Sequence, residues 1–599
     1  LPNPKKLGGD IVKKILTVFI LLLAATALFA AGEQEGTEGP AVQDTDTFVY
    51  ESIGDPDSLD PAKAYDSSSW EVMSNIYETL IAYDGESTSE FVPVIAEEVP
   101  SIENGGISED GLTYRFKIRK GIFFHDGRPV TPKDVEYTFE RNMVVDADGG
   151  PNWVWYSYLL GKAGSRDAEG SFAVTFDEID RAVEVDGQYV VFNLPVPFPP
   201  FLSLLAATWG SVVNMEWVAD QGGWDGTAET WKDYNKPEEM AETLYDIANG
   251  TGPYKLERWE KDVEVVLTRN ENYWGEEPFF RRGIARVVTE WATRKLALLQ
   301  GDADSVYVPA EYYNEMLEET GLYDLDTAQL SVTAFHFNYD INTTDNPMAG
   351  SGQLDGKGIP NDFFQDEDVR KGFAYAWDGE TYRNDVLLGY AKDPVTPVPF
   401  GLPFKDTSLE GYDLDLAKAR QHFQNAFDGE LWEKGFSFEI LYNEGNTGRQ
   451  TTARILAENV SGLNPKFKIE TRAISWAEYL DKIRNSTMPL FVIGWLPDYP
   501  DPDNFVTPFM HSTKGTFAAW ANYENPKADA LIDEAATTID PDRRRDLYYE
   551  IQRIYVDDVV SVITNQPEEK WFFNDSIEGV YFNPMMSSQF DLLPYLTRK

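Results

Sequence analysis

The residues best placed for chemistry stand in Gly494–Phe505, which reads Gly-Trp-Leu-Pro-Asp-Tyr-Pro-Asp-Pro-Asp-Asn-Phe. Asp498 lies between Pro497 and Pro500, and Asp501 and Asp503 follow in the same proline-rich stretch. Proline narrows the conformations open to a chain, so these carboxylates are presented in one shape rather than free. A fixed Asp flanked by apolar residues and a Trp is what capture of a cationic group requires. Asp-Pro and Pro-Asp pairs equally make plain turns, and spacing alone leaves both readings open.

Such a loop needs a scaffold. The apolar run Leu490-Phe491-Val492-Ile493 predicts a buried strand that delivers Gly494 and Trp495 and stops at Pro497, which cannot continue a ladder. Upstream, Phe438–Tyr442 predicts a strand, Arg449–Val460 a helix burying Ala453, Leu456 and Val460, and Phe467–Glu470 a second strand. That order describes a parallel α/β unit. Arg449 stands at the start of its helix beside a loop carrying Gly445 and Gly448.

Composition narrows the function. The 599 residues are 42% hydrophobic and 14% aromatic, a globular balance long enough for two or three domains. With 51 Lys and Arg against 101 Asp and Glu, the net charge of −50 repels phosphate backbones and excludes nucleic-acid binding. The chain has no Cys, which removes disulfides, thiolate metal sites and a Cys nucleophile. Its 4 His show no ligand spacing; His125 is a structural residue on this reading, and no metal or cofactor is expected. Neither a Gly-x-Ser-x-Gly elbow nor a His-Glu-x-x-His motif occurs, so a hydrolase rests only on the abundance of carboxylates.

Lys13-Lys14, the apolar run Ile15–Phe29 and Ala30-Ala31-Gly32 have the pattern of a secretory signal peptide over residues 1–31. Cleavage is expected after Ala30 or Ala31, residues 1–11 read as an over-extended start, and residues 32–46 form a polar linker. Without Cys, no lipoprotein anchor is expected.

From there Phe48-Val49-Tyr50 opens a strand, and Val72, Ile76 and Leu80 share a helix face. Thr113–Arg119 alternates as a half-buried strand, and Thr131-Pro132 caps and starts a helix. Residues 147–175, rich in Gly, Asp and Trp, read as an exposed excursion. Asp186-Gly187 turns a hairpin. Val263, Val265 and Leu267 alternate in a strand, and Gly250–Pro253 lacks the Gly-Lys-Ser/Thr of a P-loop. Asp366–Trp377 is an amphipathic helix weakened by Gly372. Strands are expected near Val560–Ile563 and Val580–Phe582.

Several of these blocks, in order, resemble the solute-binding proteins of ABC importers that carry dipeptides and oligopeptides, solute-binding family 5. They are Ser58-Leu59-Asp60-Pro61 with Tyr77-Glu78-Thr79-Leu80; Asp110–Arg119 with Phe124-His125-Asp126-Gly127 and Thr131–Val135; Thr251-Gly252-Pro253-Tyr254 with Arg269–Trp274; Asp366–Trp377; and Gly494-Trp495 with Asp498 and Asp501-Pro502. The resemblance runs from about Phe48 to about Asn583. It implies a two-lobed α/β periplasmic binding protein of the class II type, with an additional small domain inserted in the first lobe. The expected division is 47–73, 211–285 and 566–599 for the first lobe, 74–210 for the insertion, and 286–565 for the second lobe.

The same resemblance implies a non-enzymatic, monomeric, extracytoplasmic protein that closes on a peptide and delivers it to membrane permease subunits. Asp498 would hold the peptide's α-ammonium, Gly494 and Trp495 would pair with its main chain, and Arg449 would hold its α-carboxylate. Asp66, Ser67 and Trp70 would line the cleft from the first lobe, with Trp476 among the aromatic walls. Pro497 departs from the pattern by lacking an N–H beside the Asp. The alternative within the fold is a β-linked oligosaccharide, for which the 16 Trp and 31 Tyr offer stacking faces. Nickel lacks a nitrogen ligand cluster.

Overall fold

A computed structural model describes residues 45–599 except 168 and 237–242, and leaves out the side chains of 476 and 477. The leader expected over residues 1–31, and the linker as far as residue 44, lie outside the described residues.

One ten-stranded mixed sheet organises the chain. Along its main path the order is Leu490–Trp495, Val332–Phe337, Ser561–Asn574, Ser305–Val306, Thr47–Ser52, Arg282–Val287, Glu264–Arg269 and Tyr254–Glu260. Leu322–Ala328 and Ala391–Lys392 also pair with Ser561–Asn574, which at fourteen residues is much the longest of these strands. The first core gathers Phe48, Trp155, Phe192 and Leu593; the second runs from Leu330 to Ile563. The Ser561–Asn574 strand serves both, placing Val562 and Ile563 in the second core and Trp571 and Phe573 in the first.

Local signals account for most elements. Thr131 caps the Pro132–Val145 helix in a capping box with Asp134, and proline starts it. Gly187, at φ 65°, turns the hairpin between Val183–Asp186 and Tyr189–Asn193. Phe436–Asn443 pairs in parallel with Phe467–Ile474 across the Thr447–Leu463 helix, as the apolar spacing predicts.

Four expectations are corrected. The first helix spans Ser67–Ile76, so Leu80 is buried beyond it rather than on its face. Residues 147–175 are no exposed excursion: Trp155 and Tyr156 are fully buried, with Trp155 edge-on to Phe139 at 4.8 Å. Val263 is exposed outside the Glu264–Arg269 strand, whose Val265, Val266 and Leu267 are all buried because both sheet faces are covered. Val580–Phe582 is not a strand; Gly579 turns the chain at φ 85°, with the Tyr595 carbonyl in the space its absent Cβ would take.

Candidate ligand-binding site

The Leu490–Trp495 strand ends one flank of the sheet, paired antiparallel with Val332–Phe337 on one side only among the described residues. The Pro489 carbonyl accepts from Asn338 on that partner side, so residues 489, 491, 493 and 495 turn their main chain inward. Val492 faces outward, where its N–H donates to the Tyr479 hydroxyl at 2.9 Å and its carbonyl accepts from it at 2.8 Å. By the same alternation Gly494, half-buried, turns its main chain to the outer edge.

After Trp495 the chain breaks from the sheet and turns Asp498 inward, only 2% exposed. Asn504, in the first turn of the Asp503–Met510 helix, clamps the loop: its amide donates to Asp498 Oδ2 at 2.9 Å, while its Oδ1 accepts from the Asp498 N–H at 2.7 Å and Trp495 Nε1 at 3.2 Å. From the first core, the Tyr65 hydroxyl donates to Asp498 Oδ1 and Oδ2 at 2.9 and 3.0 Å, and Trp153 Nε1 donates to that hydroxyl at 3.3 Å. Asp498 therefore has only neutral side-chain donors and no ion pair among the described residues. Burial pushes its carboxyl up to about 7, against the lowering effect of the Asn504 and Tyr65 bonds.

The neighbouring acids are structural. Asp501 forms a two-pronged pair with Arg544, both bonds 2.8 Å, and accepts from the Asp503 N–H. Asp503 accepts from the Tyr158 and Tyr499 hydroxyls at 3.0 and 2.7 Å. Tyr499, next to Asp498, is fully buried in the first core, so the loop is anchored in a core other than the one its strand belongs to.

The structure thus brings Gly494, Trp495 and Asp498 together. Asp66 caps the Ser67–Ile76 helix through Ser69, and Ser67 is exposed in its first turn. Trp70 packs on Tyr65 and Trp209 at 5.7 and 5.3 Å, in the wall that aims Tyr65 at Asp498. Arg449 is half-buried, its guanidinium 5.5 Å from the Tyr479 ring centroid and bonded to Asn443 at 2.6 Å. Trp476 starts the helix ending at Arg484; its side chain lies outside the described residues. His125 meets the Gly252 carbonyl at 3.0 Å, and burial lowers it to about 4.

Tyr65, Asn504 and Tyr479 were not among the residues singled out by sequence. Asn504 lay in the same stretch as Asp498, and Tyr65 adjoined Asp66; nothing in the sequence pointed to Tyr479. Among the described residues no group of three or more His, Cys, Asp or Glu fits a metal, and no helix is long and apolar enough to cross a membrane. A separate cavity of about 440 Å³, bordered by Asp378, Arg383, Asp413 and Ser561, shares no residue with the Asp498 cluster.

The mixed α/β architecture, one large sheet serving two cores, is that of a two-lobed periplasmic binding protein of the class II type. Residues 90–517 match the family described as "Bacterial extracellular solute-binding proteins, family 5 Middle", and the chain belongs to that family. It is 26% identical over 551 residues to the probable D,D-dipeptide-binding periplasmic protein DdpA of Escherichia coli strain K12, covering 91% of this chain and 93% of that protein. Its fold is similar to DppA of Helicobacter pylori in complex with the peptide STSA, with a TM-score of 0.73, 22% identity, and 92% and 98% of the two chains covered. It is also similar to AppA of Bacillus subtilis in complex with a nonapeptide, with a TM-score of 0.72, 20% identity, and 92% and 99% covered.

Proposed function

We propose that this protein is the extracytoplasmic ligand-capturing component of an ABC importer and that its ligand is a peptide with a free amino terminus. The observation that carries this reading is Asp498: a carboxylate 2% exposed, held by neutral donors, at the end of an edge strand. A buried carboxylate lacking a cation is costly to ionise, and an ammonium brought by the ligand supplies the missing charge through hydrogen bonds about twice as strong as neutral ones. Gly494 offers main-chain groups to an extended ligand, as in strand addition. Arg449 provides a positive charge behind Tyr479 for the ligand's carboxylate. The likeness to proteins named for dipeptides, or crystallised with peptides, points the same way.

Capture on this reading is non-covalent and involves no catalysis. Closure of the two lobes is favoured by the ligand's preference for the closed form, which membrane permease subunits then recognise. On this reading the protein acts as an exported monomer.

The test is calorimetric titration of the mature protein, unfolded and refolded beforehand to strip carried ligand, with short peptides and with β-linked oligosaccharides. Heat with free peptides, lost on N-acetylation and in Asp498→Ala, is the expected result. Heat with sugars alone would retire the peptide assignment.

A further inference from the structure

The cavity of about 440 Å³ that shares no residue with the Asp498 cluster falls in the size range of small-molecule sites. The chain just beyond the Glu367–Ala376 helix borders it through Trp377, Gly379 and Arg383, opposite Ser561 and Val562 of the long strand. We infer that this cavity binds a free amino acid as a zwitterion, at a site separate from the Asp498 loop.

Two N–H donors mark one side of it. Trp377 is 2% exposed, and its Nε1 is buried with no hydrogen-bond partner among the described residues. An indole N–H donates and cannot accept, so only an acceptor satisfies it. Arg383 pairs through Nη2 with Asp393 at 2.9 Å, and its Nη1 donates to the Thr564 carbonyl at 3.2 Å. Each guanidinium Nη carries two hydrogens, so Nη1 has a second to give. A Cβ at Gly379 would stand 2.6 Å from that Nη1 and 2.8 Å from Trp377 Nε1. The backbone of Gly379 is helical and open to any residue, so space rather than conformation calls for glycine here. A side chain at this point would cover both donors; its absence leaves them side by side.

The remaining charge around the cavity is negative. Asp378, Glu380, Asp393 and Asp413 border it against the guanidinium of Arg383. Asp393 is engaged by Arg383, and Asp378 accepts from the Thr381 N–H at 3.1 Å. Glu380 and Asp413 are exposed and stand where a ligand enters.

These signs select the ligand. Carboxylates on this scale repel a multiply charged anion such as phosphate. A simple cation leaves Trp377 Nε1 without an acceptor. Among the described residues no group of three or more His, Cys, Asp or Glu fits a metal, which removes a divalent ion. A zwitterion meets every demand: its carboxylate takes the N–H groups of Trp377 and Arg383, and its ammonium faces Glu380 and Asp413 through charge-assisted bonds. The Tyr412 ring, its hydroxyl already given to the Val556 carbonyl, and Leu414 supply apolar walls for a side chain.

Calorimetry on the refolded mature protein tests this, with each standard amino acid, glycerol and inorganic phosphate as probes. At least one amino acid should give the same heat in the wild type and in Asp498→Ala. Its methyl ester and its N-acetyl form, each lacking one of the two charges, should give none. Gly379→Ala places a methyl group against both donors and should abolish the heat. Asp413→Asn, at an exposed position, should weaken binding by about fivefold, the upper range for an ion pair open to water, with an unchanged melting temperature. No heat with any amino acid, heat with glycerol or phosphate alone, equal heat with the methyl ester, or unchanged affinity in either variant overturns the site. None of these results touches the peptide assignment, which is read from peptides on the wild type.

Discussion

Tyr65 and Asp498, 433 residues apart in the chain, meet with one phenol hydroxyl shared between both carboxylate oxygens at 2.9 and 3.0 Å. This bond lowers the carboxyl that burial raises, so the tyrosine helps to keep Asp498 ready to ionise. In Tyr65→Phe the midpoint at which peptide affinity falls on acidification should move to higher pH. Affinity fitted for the ionised carboxylate and charged amine should stay within about threefold, because ionised Asp498 keeps Asn504 and gains the ligand. Dissociation constants measured across pH decide this; an unmoved midpoint would show that Tyr65 does not tune the carboxylate.

The wild type should show a two-sided profile. With Asp498 holding the ammonium as proposed, protonation of the carboxyl below about 7 should cost affinity by up to about tenfold per pH unit. Above about 8 the peptide's own amine loses its proton. Stability of the ligand-free fold runs the other way. The raised carboxyl contributes stability that is fully present below its ordinary value of 3.8 and is lost as pH rises through about 7. Asp498→Asn should remove the acid-side loss of stability with rising pH together with peptide binding, and thermal melts from pH 4 to 8 would reveal a variant that still follows the wild-type slope.

The Asp501–Arg544 pair is buried on both sides and doubly bonded. Removing one partner leaves an uncompensated charge, so Asp501→Ala should cost about 3–5 kcal/mol in denaturant unfolding. Peptide affinity should fall as well, because Asp501 also accepts from the Asp503 N–H at the start of the helix that carries Asn504.

Gly372 lies in the middle of the Glu367–Ala376 helix, where alanine would ordinarily gain about 1 kcal/mol. Its absent Cβ would stand 2.7 Å from the Phe423 ring, which packs directly on the glycine. Overpacking of this kind costs about 1–3 kcal/mol, so Gly372→Ala should lower the melting temperature despite the better helix former. A higher melting temperature would mean that Phe423 yields its place.

Elements set by nearby residues were legible in the sequence. The Thr131 capping box, the Gly187 hairpin and the helix between Phe436–Asn443 and Phe467–Ile474 each depend on a cap, a turn or an apolar period visible within a few residues. The prolines around Asp498 likewise marked a loop of fixed shape. What escaped depends on distant partners. Trp155 is buried by Phe139, and Val580–Phe582 is kept from a ladder by the turn at Gly579 beside Tyr595. Tyr65 gains its role from a loop 433 positions away, and Tyr479 from a strand whose alternation only pairing reveals.

The Ser561–Asn574 strand has a consequence for cooperativity. Because it belongs to both cores, a chain ending before it would lack a strand in each, and neither core would be complete when released from synthesis. Melting of either core frays a shared element of the other, which favours one calorimetric transition over the two that separate domains give. Pro567, in the middle of the strand, has no N–H to add to the ladder, so the strand lacks one backbone donor between the stretches that serve the two cores. Thermal unity thus comes from these fourteen residues.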